Sequence, residues 1–224
     1  MQTVYYSLMP KLVAFLVLFG VVLSPESQNT QRTDKRPRGA SIDSHEGMTV
    51  EVDPWTTASR YKEKFGKKSP FAGGVVALHV SFQNDNEKGV KVNLQRIRLI
   101  VQVDEDNRQE LEALSPDDVA DTVLLKPSTK DPTARRLPIP VPVAKPKATR
   151  DSNWTNLRDA CQNAAVPSGV VGAHGEVEGL IYFDLRGELD LLQAAHLYVP
   201  NLLMMDTNQP ISFFEIDLGK VGSQ

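Results

Sequence analysis

Residues 73–84 read GGVVALHVSFQN, and the alternation in this stretch decides the fold class. After the two glycines, Val76, Leu78, Val80 and Phe82 share one parity, whereas Ala77, His79, Ser81 and Gln83 share the other. Period-two alternation ending on β-branched and aromatic residues predicts a half-buried β-strand. It stops at Asn84-Asp85-Asn86, a turn cluster, and a second strand resumes at Val90. There Val92 and Leu94 keep one parity and Ile97, Leu99, Val101 and Val103 the other. A β-bulge near Gln95-Arg96 is the expected cause, because a one-residue slip otherwise turns every apolar side chain outward. The pair is expected to form an antiparallel hairpin.

Working outward, Met48, Val50 and Val52 alternate as a short strand. Asp53-Pro54 reads as a helix start, with Asp as cap and Pro at the first position, and Gly66 as its end. Ser115-Pro116-Asp117-Asp118 carries the same signal with acids near the positive end of the helix dipole, followed by the apolar stripe Val119, Ala120, Val123 and Leu124. In NWTNLRDACQNAA, Trp154, Leu157, Cys161 and Ala164 recur at helical spacing and should share one face. Strands then return. Val177, Ile181, Phe183 and Leu185 alternate with Glu176, Glu178, Leu180 and Asp184. Leu197 to Leu203 is broken at Pro200, which suggests an edge, and Phe214, Ile216 and Leu218 alternate in the last strand. Phe82, Val101, Phe183 and Phe214 are assigned to the core.

The segment from 126 to 150 holds Pro127, Pro132, Pro138, Pro140, Pro142 and Pro146, so neither a helix nor a central strand runs through it. It reads as an exposed insertion loop. It carries seven basic residues and one acidic, a block of +6, whereas residues 151–224 carry three basic and ten acidic. A soluble basic loop over an acidic domain is expected, with attraction to an anionic surface as the sharper reading.

With 224 residues and 41% apolar content, about 150 residues are expected to pack into one core. Residues 12–23, LVAFLVLFGVVL, form an unbroken apolar run behind Lys11 and ahead of Ser24-Pro25-Glu26-Ser27. Twelve helical residues at ~1.5 Å each span about 18 Å, short of the ~30 Å hydrocarbon core. Residues 1–24 therefore read as a signal peptide, with an uncleaved N-terminal anchor as the alternative. Residues 25–46, polar and without periodicity, read as a disordered tether, and 47–220 as one β-sandwich-like domain.

Chemical motifs are sparse. The lone Cys161 forms no internal disulfide and reads as a buried structural thiol. His45, His79, His174 and His196 lack the helical spacing of a metal pair. His174-Gly175-Glu176 reads as a turn before a strand, and Asp104-Glu105-Asp106-Asn107 as a solvated turn in preference to a Ca²⁺ loop. Ser168-Gly169 lacks the nucleophile-elbow pattern. Asn153-Trp154-Thr155 matches a glycosylation sequon, but capping explains Asn153 equally well. Lys62, Lys64, Lys67 and Lys68 and the block ending at Arg150 are basic, but the second block is without the interleaved aromatics of a single-strand platform, and the expected export argues against it as well, so no nucleic-acid partner is expected. No catalytic, cofactor-binding or metal-binding residue and no cofactor is assigned.

The strand GGVVALHVSFQN, the arginine-bearing strand after it, and the closing pattern VEGLIYFDL, LYVPNL, ISFFEIDL resemble the immunoglobulin-like (telokin-like) domains of bacterial exported proteins of unknown function. The resemblance covers roughly residues 70–104 and 170–219. It implies a β-sandwich, from which the stretch Gln109 to Ala165 departs with two helices and the proline-rich loop, so the fold expected is mainly β with short helices: an antiparallel immunoglobulin-like β-sandwich with a helical and proline-rich insertion. A non-catalytic exported or cell-envelope binding or structural domain is expected, meeting an envelope protein or an anionic envelope surface. The alternatives are an envelope hydrolase, expected to gather His174 or His196 with carboxylates in a pocket, and a periplasmic assembly factor acting through an open apolar sheet edge.

Overall fold

The computed structural model describes residues 40–104, 107–125 and 150–219. Twelve strands occur there: β1 Ser41–His45, β2 Met48–Trp55, β3 Val75–Asn84, β4 Val90–Lys91, β5 Arg98–Asp104, β6 Asn107–Glu112, β7 Val170–Val171, β8 Glu176–Asp184, β9 Ala195–Val199, β10 Leu202–Met204, β11 Pro210–Ile211 and β12 Phe214–Asp217. Three helices join them, α1 Ala58–Phe65, α2 Pro116–Leu124 and α3 Ser152–Ala164. The strands form three four-stranded antiparallel sheets in the orders β1-β2-β3-β8, β11-β10-β4-β7 and β12-β9-β5-β6. The fold is mainly antiparallel β with short helices.

One cluster of buried side chains draws on all three sheets, so the first sheet faces the other two across a sandwich core. Val50, Val52, Val76, Leu78, Val80, Phe82 and Phe183 meet Val90, Leu99, Val101, Leu197, Leu202, Phe214 and Ile216. The four side chains assigned to the core, Phe82, Val101, Phe183 and Phe214, are at most 1% exposed. Burial of each such side chain contributes about 1.5–3 kcal/mol.

The opposite face of the first sheet is covered as well. Val75, Ala77, Leu180 and Tyr182 pack on Tyr61 of α1, Val119 and Ala120 of α2, and Trp154, Leu157, Cys161 and Ala164 of α3. β3 is therefore buried on both faces, not on one. The helices form a layer on the sheet. The helical spacing of Trp154, Leu157, Cys161 and Ala164 places all four on this face. The Ser115 cap of α2 holds, as a capping box with Asp118. Asp151, not Asn153, caps α3: its carboxylate accepts the Trp154 N–H at 3.0 Å.

Four expectations are corrected. Residues 41–45 of the expected tether form β1, paired along β2, so the domain begins before residue 47. Asp53-Pro54 continues β2 opposite His79 and Leu78, and α1 starts after Thr57. Pro54 is tolerated because β1 pairs only as far as Val52, which leaves that flank of β2 without a strand partner. The parity change after Leu94 is a 3-10 turn over Leu94–Arg96, not a bulge. That turn carries the chain from β4 in one sheet to β5 in another, so β3 forms no hairpin with either. Pro200 likewise marks a sheet switch, between β9 and β10 with Asn201 at φ 56°, and β9 is a central strand. The proline-rich segment, apart from Arg150, and the signal or anchor segment lie outside the described residues.

A candidate binding cleft between α1 and the first sheet

β2 carries Trp55 past the end of β1, and the chain then turns into α1, which doubles back over the strand. Arg60 on the first turn of α1 reaches Asp53, with its Nη2 2.7 Å from Oδ2, and its guanidinium lies 4.7 Å from the centroid of the Trp55 ring. Asp53 is buried, so the residue expected to cap a helix instead neutralises and orients this arginine. Tyr61 anchors the helix: its hydroxyl donates to the Trp55 carbonyl at 2.8 Å and accepts the Ala77 N–H at 2.7 Å.

The floor comes from β3 and β8. His79 stands opposite Leu180, and its Nε2 lies 3.5 Å from Oε2 of Glu178 on the cross-strand diagonal. The far wall is the end of α3, Asn163 and Ala164, with Ala165 and Pro167 beyond it. Ala165 bridges to Leu180, and the Val166 N–H donates to the Leu180 carbonyl at 3.3 Å. The close passage requires Gly179, where a Cβ would stand 2.5 Å from the Val166 nitrogen. Together Trp55, Arg60, Glu63, Lys64, His79, Asn163 and Glu178, with the small or apolar Gly179, Ala164, Ala165, Pro167 and Leu180, line a cleft of about 670 Å³. That volume lies in the range of small-molecule sites.

The remaining histidines are elsewhere. His45 stacks on Phe214, ring centroids 3.8 Å apart. His174, at φ 51° in the turn before β8, lies 3.4 Å from Glu87, and His196 sits on β9 opposite Ile100 and Asp217. Neither His174 nor His196 enters the cleft; His79 does, with Glu63 and Glu178. Among the described residues no group of three or more His, Cys, Asp or Glu side chains is placed to hold a metal ion. Glu105 and Asp106 of the acidic turn lie outside the described residues. Cys161 is buried, and burial pushes its thiol up to about 12.

His79 was legible only as a polar-face residue, and Trp55, Arg60, Glu63, Lys64 and Asn163 carried no signal as a set. They come from a strand end, a helix and a second helix far along the chain, so no local spacing joins them. The one sequence trace is Gly179-Leu180, a glycine and an apolar residue on the wrong parity within an alternating strand.

No family model matches the chain, and no curated protein matches it. Among solved structures it is similar to a functionally unknown protein from Listeria monocytogenes EGD-e, at 15% identity over 73% of this chain and 71% of that one, with a TM-score of 0.33.

Proposed function

We propose that this chain is a non-catalytic exported or cell-envelope domain that binds its ligand in the cleft between α1 and the first sheet. The observation that carries the reading is pre-organisation: Arg60 is held by Asp53 and Trp55, and His79 lies beside Glu178, before any ligand arrives. Side chains already fixed lose little rotamer freedom on binding. A buried thiol with a raised pKa is a poor nucleophile, which supports a structural role for Cys161. Export rests on Lys11 and the apolar run 12–23. No described helix is long and apolar enough to cross a membrane. The immunoglobulin-like kinship belongs to the same proposal, and the antiparallel sandwich supports it.

The assembly-factor reading draws no support from the β6 and β8 edges. β6 presents exposed Arg108, Gln109, Glu110 and Glu112, and the β8 edge already receives the Leu114 and Val166 N–H groups.

Calorimetric titration of the full chain with fractionated envelope material tests the binding reading. Binding should weaken in Glu178→Gln and Asn163→Ala and persist in Glu215→Ala on the far sheet. Binding indifferent to both cleft variants removes the cleft as the site. Intact-mass analysis of the natural protein tests export: a start just beyond Leu23 is expected, and Met1 retained in a soluble cytoplasmic form refutes it.

A further inference from the structure

We infer that the ligand of this cleft is a neutral saccharide; this rests on the cleft being the binding site. Among the lining side chains Arg60 and Lys64 are balanced by Glu63 and Glu178, and Asp53 stands behind Arg60 at 2.7 Å. An anionic ligand finds Arg60 already paired with Asp53 and meets Glu63 and Glu178, so it gains no net Coulombic attraction, whereas a cationic one finds a single carboxylate in excess beside Lys64. A neutral ligand meets no such repulsion and can use the donors and acceptors of both signs.

A sugar ring presents hydroxyls that each donate and accept, together with faces of C–H groups. The cleft offers both complements. Arg60 spends one terminal nitrogen on Asp53 and keeps further N–H donors, Glu178 and Glu63 accept, and the Asn163 amide does both. Leu180, Ala164, Ala165 and Pro167 supply apolar surface, with Trp55 beside them. Asn163 at the end of α3 and Glu178 on β8 are both exposed lining residues, free to meet ligand hydroxyls.

A peptide fits the β8 side of the cleft less well. An extended peptide would be expected to add to the outer edge of β8, but the Leu180 and Tyr182 carbonyls there already accept the Val166 and Leu114 N–H groups at 3.3 and 2.8 Å. Strand addition would break bonds that hold α3 and β6 in place.

The test is an amide and indole NMR titration of the full chain with neutral di- and trisaccharides, with an anionic polysaccharide and a short peptide as separate arms. Neutral sugars should shift the Gly179, Leu180, Ala164 and Ala165 amides and the Trp55 indole. Affinity should be insensitive to added salt, since no net charge is neutralised. Glu178→Gln and Asn163→Ala, both at exposed positions, should each weaken binding about tenfold while leaving the spectrum of the free protein otherwise unchanged. Cleft shifts with the anionic polymer or the peptide, but none with neutral sugars, overturn the saccharide inference and leave the binding reading standing. No cleft shifts in any arm overturn both.

Discussion

The Ala77 N–H donates to the Tyr61 hydroxyl at 2.7 Å, and that hydroxyl donates in turn to the carbonyl of Trp55, the residue opposite Ala77 in the β2–β3 ladder. A side chain from α1 thus stands where a strand-to-strand bond would otherwise lie, and it fixes the helix that walls the cleft. Tyr61→Phe leaves a buried donor and a carbonyl without their partner. A loss of about 3 kcal/mol is expected in urea denaturation, the upper end of the range for one unsatisfied buried group, because two groups are affected. A variant as stable as the parent shows that the relay is not structural.

Alkaline destabilisation follows from the same layer. Burial raises the Cys161 thiol to about 12 and raises the Tyr61 and Tyr182 hydroxyls as well. In the unfolded chain these groups ionise near about 8.5 and about 10. A folded pKa above the unfolded one means that the contribution is complete below the unfolded value and is lost as pH rises toward the folded one. Stability should fall by about 1.4 kcal/mol per pH unit from about pH 8.5, and more steeply above about 10. In Cys161→Ala the fall between about 8.5 and 10 should disappear, which denaturation at a series of pH values measures; an unchanged slope assigns it to other groups.

Phe183 and Phe214 face each other's sheets across the sandwich core and are fully buried. Each truncation to alanine should cost about 3–5 kcal/mol from lost transfer energy and a residual cavity. Glu215→Ala, an exposed neighbour on β12, should stay within about 0.5 kcal/mol. Chemical denaturation of the three variants separates core from surface, and parent-like unfolding of both phenylalanine variants refutes the strand parity.

Replacement of residues 126–149 by a short Gly-Ser linker should leave the domain folded. The helices at the two ends of that segment are tied to each other without it. The Trp154 Nε1 donates to Asp121 Oδ1 at 2.6 Å, and Arg150 lies 3.6 Å from Asp121 Oδ2. Shortening a loop changes closure entropy only weakly. Thermal denaturation should give a midpoint near the parent's, while low-salt binding to anionic vesicles should fall with the lost positive charge. A linker variant that fails to fold makes the segment part of the core, and unchanged vesicle binding removes its electrostatic role.

The sequence by itself determined strand parity, the buried face of α3 and the Ser115 cap of α2. Each is set within about one helical turn or a few strand residues, where side-chain periodicity and local hydrogen bonding dominate. Val76 to Phe82 and Phe214 to Leu218 therefore point inward as their alternation requires. Pairing was not written there. Whether Leu94–Arg96 bends a strand or transfers it to another sheet depends on what Val90 and Arg98 pair with, and those partners, Met204 and Tyr198, lie about a hundred residues away. Alternation registers which residues are buried, not which surface covers them, so Ala77 and Leu180 read as the outward face until three helices closed over it. The cleft belongs wholly to that second kind of information. Asp53 was locally a helix cap, and only the fold of α1 over β2 turned its carboxylate toward Arg60 and set His79 and Glu178 on the floor beneath.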